Sequence, residues 1–179
     1  MKKHSGFTIV EMMMVIAILA VLMTMVTTAA GSAIRQARAQ KADALVKLVQ
    51  QGIATYYAQK DEWPGNWYSD SISGNQSNDS DTYVLTDAQV DQCIRAVVQA
   101  SIKTSPMMDV SRLFVCNNPN GNKASGRDFI EAIHGSKRNP KKMKVSEMSF
   151  GYPEEKHGYF RRFKISYSIP TDTVIVSQQ

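Results

Sequence analysis

The sequence is poor in the residues that build metal sites and enzyme active sites. It has two cysteines, Cys93 and Cys116, and their spacing fits no zinc pattern. Its three histidines share no motif with either cysteine. No serine lies in a G-x-S-x-G turn, and the sequence has no phosphate-binding loop and no dinucleotide fingerprint. These absences predict a protein that is not an enzyme and that holds no metal or cofactor.

Long apolar runs are also absent, with one exception near the amino terminus. The 23 residues from Met12 to Ile34 carry no charged side chain and would extend about 34 Å as a helix. A hydrocarbon core is about 30 Å thick, so this segment is long enough to span a membrane once. No second stretch approaches the ~18 apolar residues that a helical span needs, which excludes a multispan transporter.

The charge balance is only mildly basic. Lysine and arginine number 21 against 16 aspartates and glutamates, which gives a formal net charge of +5. An excess of this size does not by itself indicate nucleic-acid binding.

The residues that precede the apolar run allow three interpretations. A secretory signal peptide would be cut near residues 29–33, but its apolar region is normally only ~7–15 residues long. An uncleaved signal anchor is the second interpretation, and the basic residues on both flanks do not fix its orientation. The third is a cut after Gly6. The new amino group on Phe7 would then lie one helical turn before Glu11, and that group in one subunit could neutralise Glu11 of the next.

The string Gly6-Phe7-Thr8-Ile9-Val10-Glu11 resembles the class III leader junction of type IV prepilins and type II secretion pseudopilins. The resemblance implies that residues 1–6 are a leader and that a prepilin peptidase cuts after Gly6. It also implies that the new amino terminus, Phe7, is methylated and that Glu11 guides subunit register during assembly. Many members carry a proline late in the apolar segment, where this chain has the residues 27–31 (Thr-Thr-Ala-Ala-Gly).

The expected fold is the α+β pilin fold. A transmembrane and filament-core helix over 7–34 continues as an amphipathic helix over 35–60, and 61–179 form a globular α+β head. The continuation is predicted from apolar residues that recur at helical spacing, namely Ile34, Ala37, Leu45, Leu48, Val49, Gly52, Ile53 and Tyr56. Pro64 ends it, because proline disfavours helix at the preceding Trp63. This long helix is expected to pack against a small carboxyl-terminal antiparallel β-sheet with one additional helix.

The head contains its own pattern of elements. Thr86 and Gln89 form a capping-box pair that opens a second helix, which is predicted to run to about Ile102. A short helix is predicted over 128–134, and strands over 113–116, 148–152, 159–169 and 173–177. The last three strands predict an antiparallel meander that lies across the long helix.

Three further features of the head have alternative interpretations. Cys93 and Cys116 could form a disulfide if the head lies outside the cytoplasm. The polar loop 69–82 contains Asp70, Asp79 and Asp81, which suggest calcium; its spacing fits no EF-hand, and a solvated loop is favoured. The tyrosines and tryptophan of residues 56–63 are interpreted as sealing the edge of the domain.

A set of basic residues raises the question of DNA. Its members are Lys137, Arg138, Lys141, Lys142 and Lys144, together with Arg161, Arg162 and Lys164. Such a patch holds DNA through its phosphates in competence-type pilins. Aromatic residues are not interleaved with the 137–144 run, so solubility or complementarity to acidic neighbours in a filament is the favoured interpretation.

The function that the resemblance implies is mechanical. The chain is expected to be a structural subunit of a periplasmic pseudopilus of a type II secretion-like system. Its partners would be itself and other pseudopilins, the prepilin peptidase and an inner-membrane assembly platform. Before assembly it would be a single-pass inner-membrane protein with its carboxyl-terminal domain in the periplasm. The alternatives are a pilin of a type IV or DNA-uptake pilus and a membrane-anchored binding module.

Overall fold

A single long helix, α1 (Ile9–Lys60), opens the chain and has 52 residues. The computed structural model describes residues 8–68, 82–117, 124–137 and 140–179. Asp61 ends α1 in the left-handed region (φ 54°) and donates its N–H to the Tyr57 carbonyl at 2.8 Å. Aspartate tolerates this conformation better than most residues, and Pro64 follows soon after. The sequence prediction of one continuous helix that stops before Trp63 is confirmed.

The chain divides into two compact units, Met1–Ala37 and Arg38–Gln179. In the first unit, residues 8–27 and 29–37 are all exposed. Fifteen large apolar side chains between Ile9 and Ile34 are about half exposed or more. By length and composition, α1 is one helix apolar enough to cross a membrane. Apolar area of this extent needs a membrane or other subunits to cover it.

The second unit is built on a six-stranded antiparallel sheet. Its strands are β1 (Thr82–Val84), β2 (Phe114–Cys116), β3 (Arg127–Asp128), β4 (Ser149–Pro153), β5 (Phe160–Ser168) and β6 (Thr173–Gln178). The strand order is β1-β5-β4-β2-β3, and β6 also pairs with β5. The strands β4, β5 and β6 form the predicted meander. Along β5 the buried residues Phe163, Ile165 and Tyr167 alternate with more exposed ones, as the period of two predicts.

The carboxyl-terminal part of α1 packs against this sheet through one face. Ala42, Leu45, Val49 and Ile53 recur at intervals of three or four residues, and all are buried. The Gln50 amide fixes the helix to β6, since it donates to the Val174 carbonyl at 2.9 Å and accepts from Val176 N at 2.9 Å. The predicted apolar face is therefore confirmed over residues 45–53 and extends to Ala42, which was not predicted, whereas Ile34 and Ala37 are exposed.

The described part of the head also contains the helices α2 (Asp87–Lys103) and α3 (Phe129–His134). The predicted capping box of α2 is present: Gln89 N donates to Thr86 Oγ1, and Thr86 N donates to Gln89 Oε1. The buried face of α2 holds the predicted apolar residues Val90, Ile94, Val97 and Val98, and also Cys93 and Asp91. Single 3₁₀ turns lie at Val110–Arg112 and Val145–Glu147.

Two strands were not predicted. β1 lies at the end of the segment interpreted as a polar loop, and it pairs with β5 at Tyr83 and Tyr167. β3 has two residues and pairs with β2. The rest of the 69–82 loop, with Asp70, Asp79 and Asp81, lies outside the described residues.

Candidate assembly site

Glu11 lies in the first turn of α1 and forms a capping box with Thr8. Thr8 N and Thr8 Oγ1 both donate to Glu11 Oε2, at 2.8 and 2.9 Å, and Glu11 N donates to Thr8 Oγ1 at 3.3 Å. This reciprocal pairing satisfies two N–H groups that a helix start otherwise leaves without partners. The residue predicted to be the assembly carboxylate therefore also begins the helix. The predicted cleavage residues Gly6 and Phe7 lie outside the described residues.

The two oxygens of the Glu11 carboxylate are in different environments. Oε2 accepts both bonds from Thr8, whereas no described residue donates to Oε1. The side chain is exposed, so Oε1 is open to a donor from another chain. Glu11 is also the only charged residue between Ile9 and Ile34. A single carboxylate in an apolar surface is a strong directional acceptor for a cationic group, because little else there competes for that group.

Three described hydroxyl groups within the apolar part of α1 are satisfied inside the helix. Thr24 Oγ1 donates to the Val21 carbonyl at 2.7 Å, Thr27 Oγ1 donates to the Met23 carbonyl at 3.1 Å, and Ser32 Oγ donates to the Ala29 carbonyl at 2.8 Å. Such back-bonding lets hydroxyl groups lie in apolar surroundings without a water partner. These side chains are therefore compatible with a lipid or a packed helical environment.

The head has a polar groove of about 550 Å³ between α1, β2 and β3. Lys41 crosses it: its Nζ lies 5.4 Å from the centre of the Phe114 ring and 2.7 Å from Asp128 Oδ1. The lining mixes both signs of charge, with Lys41, Arg127 and Lys141 against Asp128 and Glu131. Among the described residues, no group of three His, Cys, Asp or Glu side chains is placed to hold a metal ion.

A second groove, which we call the aromatic groove, lies where α1 ends. It has about 420 Å³ and is lined by Tyr57, Asp61, Glu62, Trp63, Gly65, Asn66 and Tyr68. Tyr57 stacks on Trp63 with ring centroids 4.1 Å apart, and Trp67 packs behind them, buried, with its Nε1–H donated to the Pro64 carbonyl. Of the aromatic residues predicted to seal the domain edge, Tyr57 and Trp63 are half-buried, whereas the buried Trp67 was not among them.

The predicted basic patch divides into residues with structural partners and exposed lysines. Arg162 Nη1 lies 2.6 Å from Asp91 Oδ2 in a largely buried ion pair, and Arg161 Nη2 lies 3.2 Å from Glu154 Oε1. Lys164 is exposed on β5. The lysines 137, 141, 142 and 144 are exposed, and none of the ion pairs in the described part of the chain includes them. Arg138 lies outside the described residues.

The two cysteines are free thiols, and both are buried. Cys93 lies on the inner face of α2 beside Trp67, and Cys116 lies at the end of β2 opposite Ser149. The structure therefore has no disulfide between them. Burial raises the pKa of the Cys93 thiol to about 12, and a thiol that stays protonated is a poor nucleophile.

The buried carboxylate Asp91 was missed by sequence reasoning. It accepts hydrogen bonds from Ser149 Oγ, Phe150 N and Arg162 Nη1, and so joins α2 to β4 and β5. One signal could have indicated its burial, because Asp91 directly follows Val90 on the apolar side of an amphipathic helix.

Residues 1–27 match the family described as the prokaryotic N-terminal methylation motif. Searches of curated proteins and of solved structures return no match to the chain. The chain therefore carries an N-terminal methylation motif of the class III prepilin type. Its long apolar helix, antiparallel sheet and extra helix form a pilin-like α+β fold. The motif implies processing by a prepilin peptidase and filament assembly in general, and the apolar helix is consistent with anchoring in the inner membrane.

Proposed function

We propose that this chain is a structural subunit of a periplasmic pseudopilus of a type II secretion-like system. The observation that carries the proposal is the coincidence of the methylation motif with an exposed apolar segment of α1, from Ile9 to Ile34, whose one charge is Glu11. A helix of this kind has two suitable environments, a membrane before assembly and a bundle of identical helices after it.

The proposed mechanism begins with a cut after Gly6, which creates an amino group on Phe7. That group is positive at neutral pH, and N-methylation keeps the charge. As subunits leave the membrane, the amino group of one lies against Glu11 of its neighbour, where Oε1 is open to accept it. Two opposite charges that are both costly in apolar surroundings are then paired, and this pairing sets the register between subunits.

Amino-terminal processing is tested by the intact mass and the amino-terminal peptide of the full chain extracted from membranes. We expect a chain that begins with N-methylated Phe7. The variant Gly6→Leu is the control and is expected to keep all 179 residues. A wild-type chain that begins at Met1, or near residues 31–34, would refute the filament proposal and would leave a membrane-anchored or secreted binding module.

The secretion assignment is tested by where the filament lies. Assembly in a host with the secretion machinery should give filaments that protease reaches in spheroplasts but not in intact cells. Protease-sensitive surface filaments would instead indicate a pilin of a type IV pilus.

A DNA-uptake pilus is a second candidate, which the exposed lysines of residues 137–144 favour. If the four described lysines contact phosphates, the logarithm of the binding constant should fall with the logarithm of salt concentration with a slope of about −3.6. The double variant Lys141→Gln/Lys142→Gln should then roughly halve that slope. We expect a secretion pseudopilin not to bind DNA. Salt-dependent DNA binding that the double variant weakens would instead assign the chain to a DNA-uptake pilus.

A further inference from the structure

We propose that the aromatic groove receives a lysine side chain from the 137–144 segment of a neighbouring copy of this chain. The inference rests on the proposed function, because it concerns the contact between head domains in a filament. The inference is argued from two surfaces of the same head. One is the aromatic groove, which is acidic, and the other is the basic 137–144 segment.

The groove is shaped and charged for a cationic side chain. Its walls include the stacked pair Tyr57 and Trp63, and Tyr68 lies across from them, 42% exposed. Asp61 and Glu62 stand exposed on its lining, which in the described residues includes no lysine or arginine. Aromatic faces attract cations, and tryptophan does so most strongly. A lysine that enters would place its apolar stem on the rings and its ammonium group beside the carboxylates.

A smaller cavity on the other side of the Tyr57–Trp63 pair extends this acidic field. It has about 280 Å³, and Asp172 lines it together with Gln50 and Val174. Asp172 accepts hydrogen bonds from Tyr167 Oη at 2.7 Å and from Tyr57 Oη at 3.3 Å. The negative charge of Asp172, together with that of Asp61, holds the pKa of Tyr57 above its usual range. The two cavities together therefore carry three carboxylates, Asp61, Glu62 and Asp172, and two of them act on Tyr57.

The basic segment presents the complementary charge. Five of the eight residues from 137 to 144 are lysine or arginine, and none is acidic. Met143 is buried, and its N–H donates to the Ala132 carbonyl at 2.8 Å. This anchor holds the segment against α3 while the neighbouring residues Lys142 and Lys144 remain exposed. Residues 140–144 are thus held in place at Met143, and their lysines are exposed.

The lysines of the 137–144 segment cannot reach the aromatic groove of the same copy. Lys141 lines the polar groove together with Lys41 of α1, whereas the aromatic groove lies at Tyr57 of the same helix. These positions are sixteen residues apart, which corresponds to about 24 Å along α1. This distance exceeds the reach of a lysine side chain. A contact between different patches on identical chains is heterologous, and its repetition produces a helical filament when the rotation between copies does not close into a ring.

The test is a charge exchange in the full chain, read as filament yield after shearing. Glu62→Lys and Lys142→Glu should each lower the yield by about fivefold, as expected for one ion pair with a cation–π contact at a partly exposed site. The double variant Glu62→Lys/Lys142→Glu should restore most of the wild-type yield. Glu155→Lys makes the same charge change at an exposed position away from the groove and should leave the yield unchanged.

A second measurement does not depend on yield. The variant Glu62→Cys/Lys142→Cys, treated with a short bismaleimide, should give ladders of covalent multimers, whereas Glu62→Cys/Lys164→Cys should not. The native cysteines are buried and should not contribute. Equal yields for all single variants, or single losses that the double variant does not restore, would overturn the inference. If wild-type filaments with methylated Phe7 are present, such a result leaves the proposed function standing; if the wild type is neither processed nor assembled, both fail.

Discussion

The buried carboxylate Asp91 offers the most quantitative test of the head structure. Its side chain accepts from Ser149 Oγ at 2.9 Å, from Phe150 N at 3.2 Å and from Arg162 Nη1 at 2.6 Å. Replacement by alanine removes all three bonds at once. It leaves the Phe150 N–H buried without this acceptor, and it leaves the Arg162 guanidinium, whose side chain is 14% exposed, without its closest anion.

The cost can be bounded from these contacts. Breaking a buried ion pair by removing one partner costs about 3–5 kcal/mol. Arg162 keeps two contacts with Asp87, because its Nε lies 3.5 Å from Asp87 Oδ2 and its Nη1 donates to the Asp87 carbonyl at 3.2 Å. We therefore expect Asp91→Ala to lower the free energy of unfolding by about 3 kcal/mol, at the lower end of this range. Lys41→Met, which breaks the exposed pair with Asp128, should cost below about 1 kcal/mol.

The assay is thermal unfolding of the full chain in detergent micelles, followed by the fluorescence of Trp63 and Trp67. For a unit of this size, 3 kcal/mol corresponds to a fall in Tm of about 10 °C. Arg162→Met should also be strongly destabilising, and the double variant Asp91→Ala/Arg162→Met should cost clearly less than the sum of the two single changes. A Tm for Asp91→Ala within about 3 °C of that for Lys41→Met would refute the reasoning, because the carboxylate would then not be buried and paired.

Three other predictions follow from single residues. Glu11→Leu should leave leader cleavage unchanged, as read by the amino-terminal peptide, but should reduce sheared filaments below detection; normal filaments would contradict the role of the carboxylate. Gly151→Ala places a Cβ against the Arg161 carbonyl oxygen and should cost about 3 kcal/mol by thermal unfolding, whereas Gly31→Ala, with no neighbouring atom within 4 Å, should cost nothing. Burial raises the pKa of Cys93 from 9.0 to about 12. Below pH 9 the thiol is protonated in both the folded and the unfolded chain. Above pH 9 the unfolded chain loses the proton first, which favours unfolding. Up to about 4 kcal/mol of stability is therefore lost as the pH rises from 9 to 12. Cys93→Ala should therefore show a flatter dependence of Tm on pH in this range, and an unchanged dependence would show that the thiol is not buried.

Elements with a long, regular pattern were predictable from the sequence. The face Ala42, Leu45, Val49 and Ile53 and the alternation along β5 each repeat over several turns or residue pairs, so the period identifies the element. The strands β1 and β3 have three and two residues, too few to establish a period. They exist because a longer strand pairs with each of them, and that pairing is a long-range property.

The buried polar residues of the head likewise depend on long-range contacts, which a local pattern does not reveal. Asp91 is buried because Arg162, 71 residues later, lies opposite it. Nothing local reveals that partner, so Arg162 was grouped with the exposed basic residues of the predicted patch. By contrast, the sequence around Glu11 was informative, since the role proposed for Glu11 rests on a motif whose residues are neighbours in the chain.

The distribution of buried residues fits a protein that changes environment without refolding. The described core begins at Ala42 and includes residues of α1, α2, α3 and all strands from β2 to β6 except β3. No described residue from 8 to 37 belongs to it. The head thus buries its own apolar surface, and transfer of the apolar helix from a lipid to a helical bundle exchanges one apolar environment for another. Such an exchange changes little hydrophobic free energy, so in the proposed assembly the order of subunits depends on polar contacts, which we assign to Glu11 and to the charged surfaces of the head.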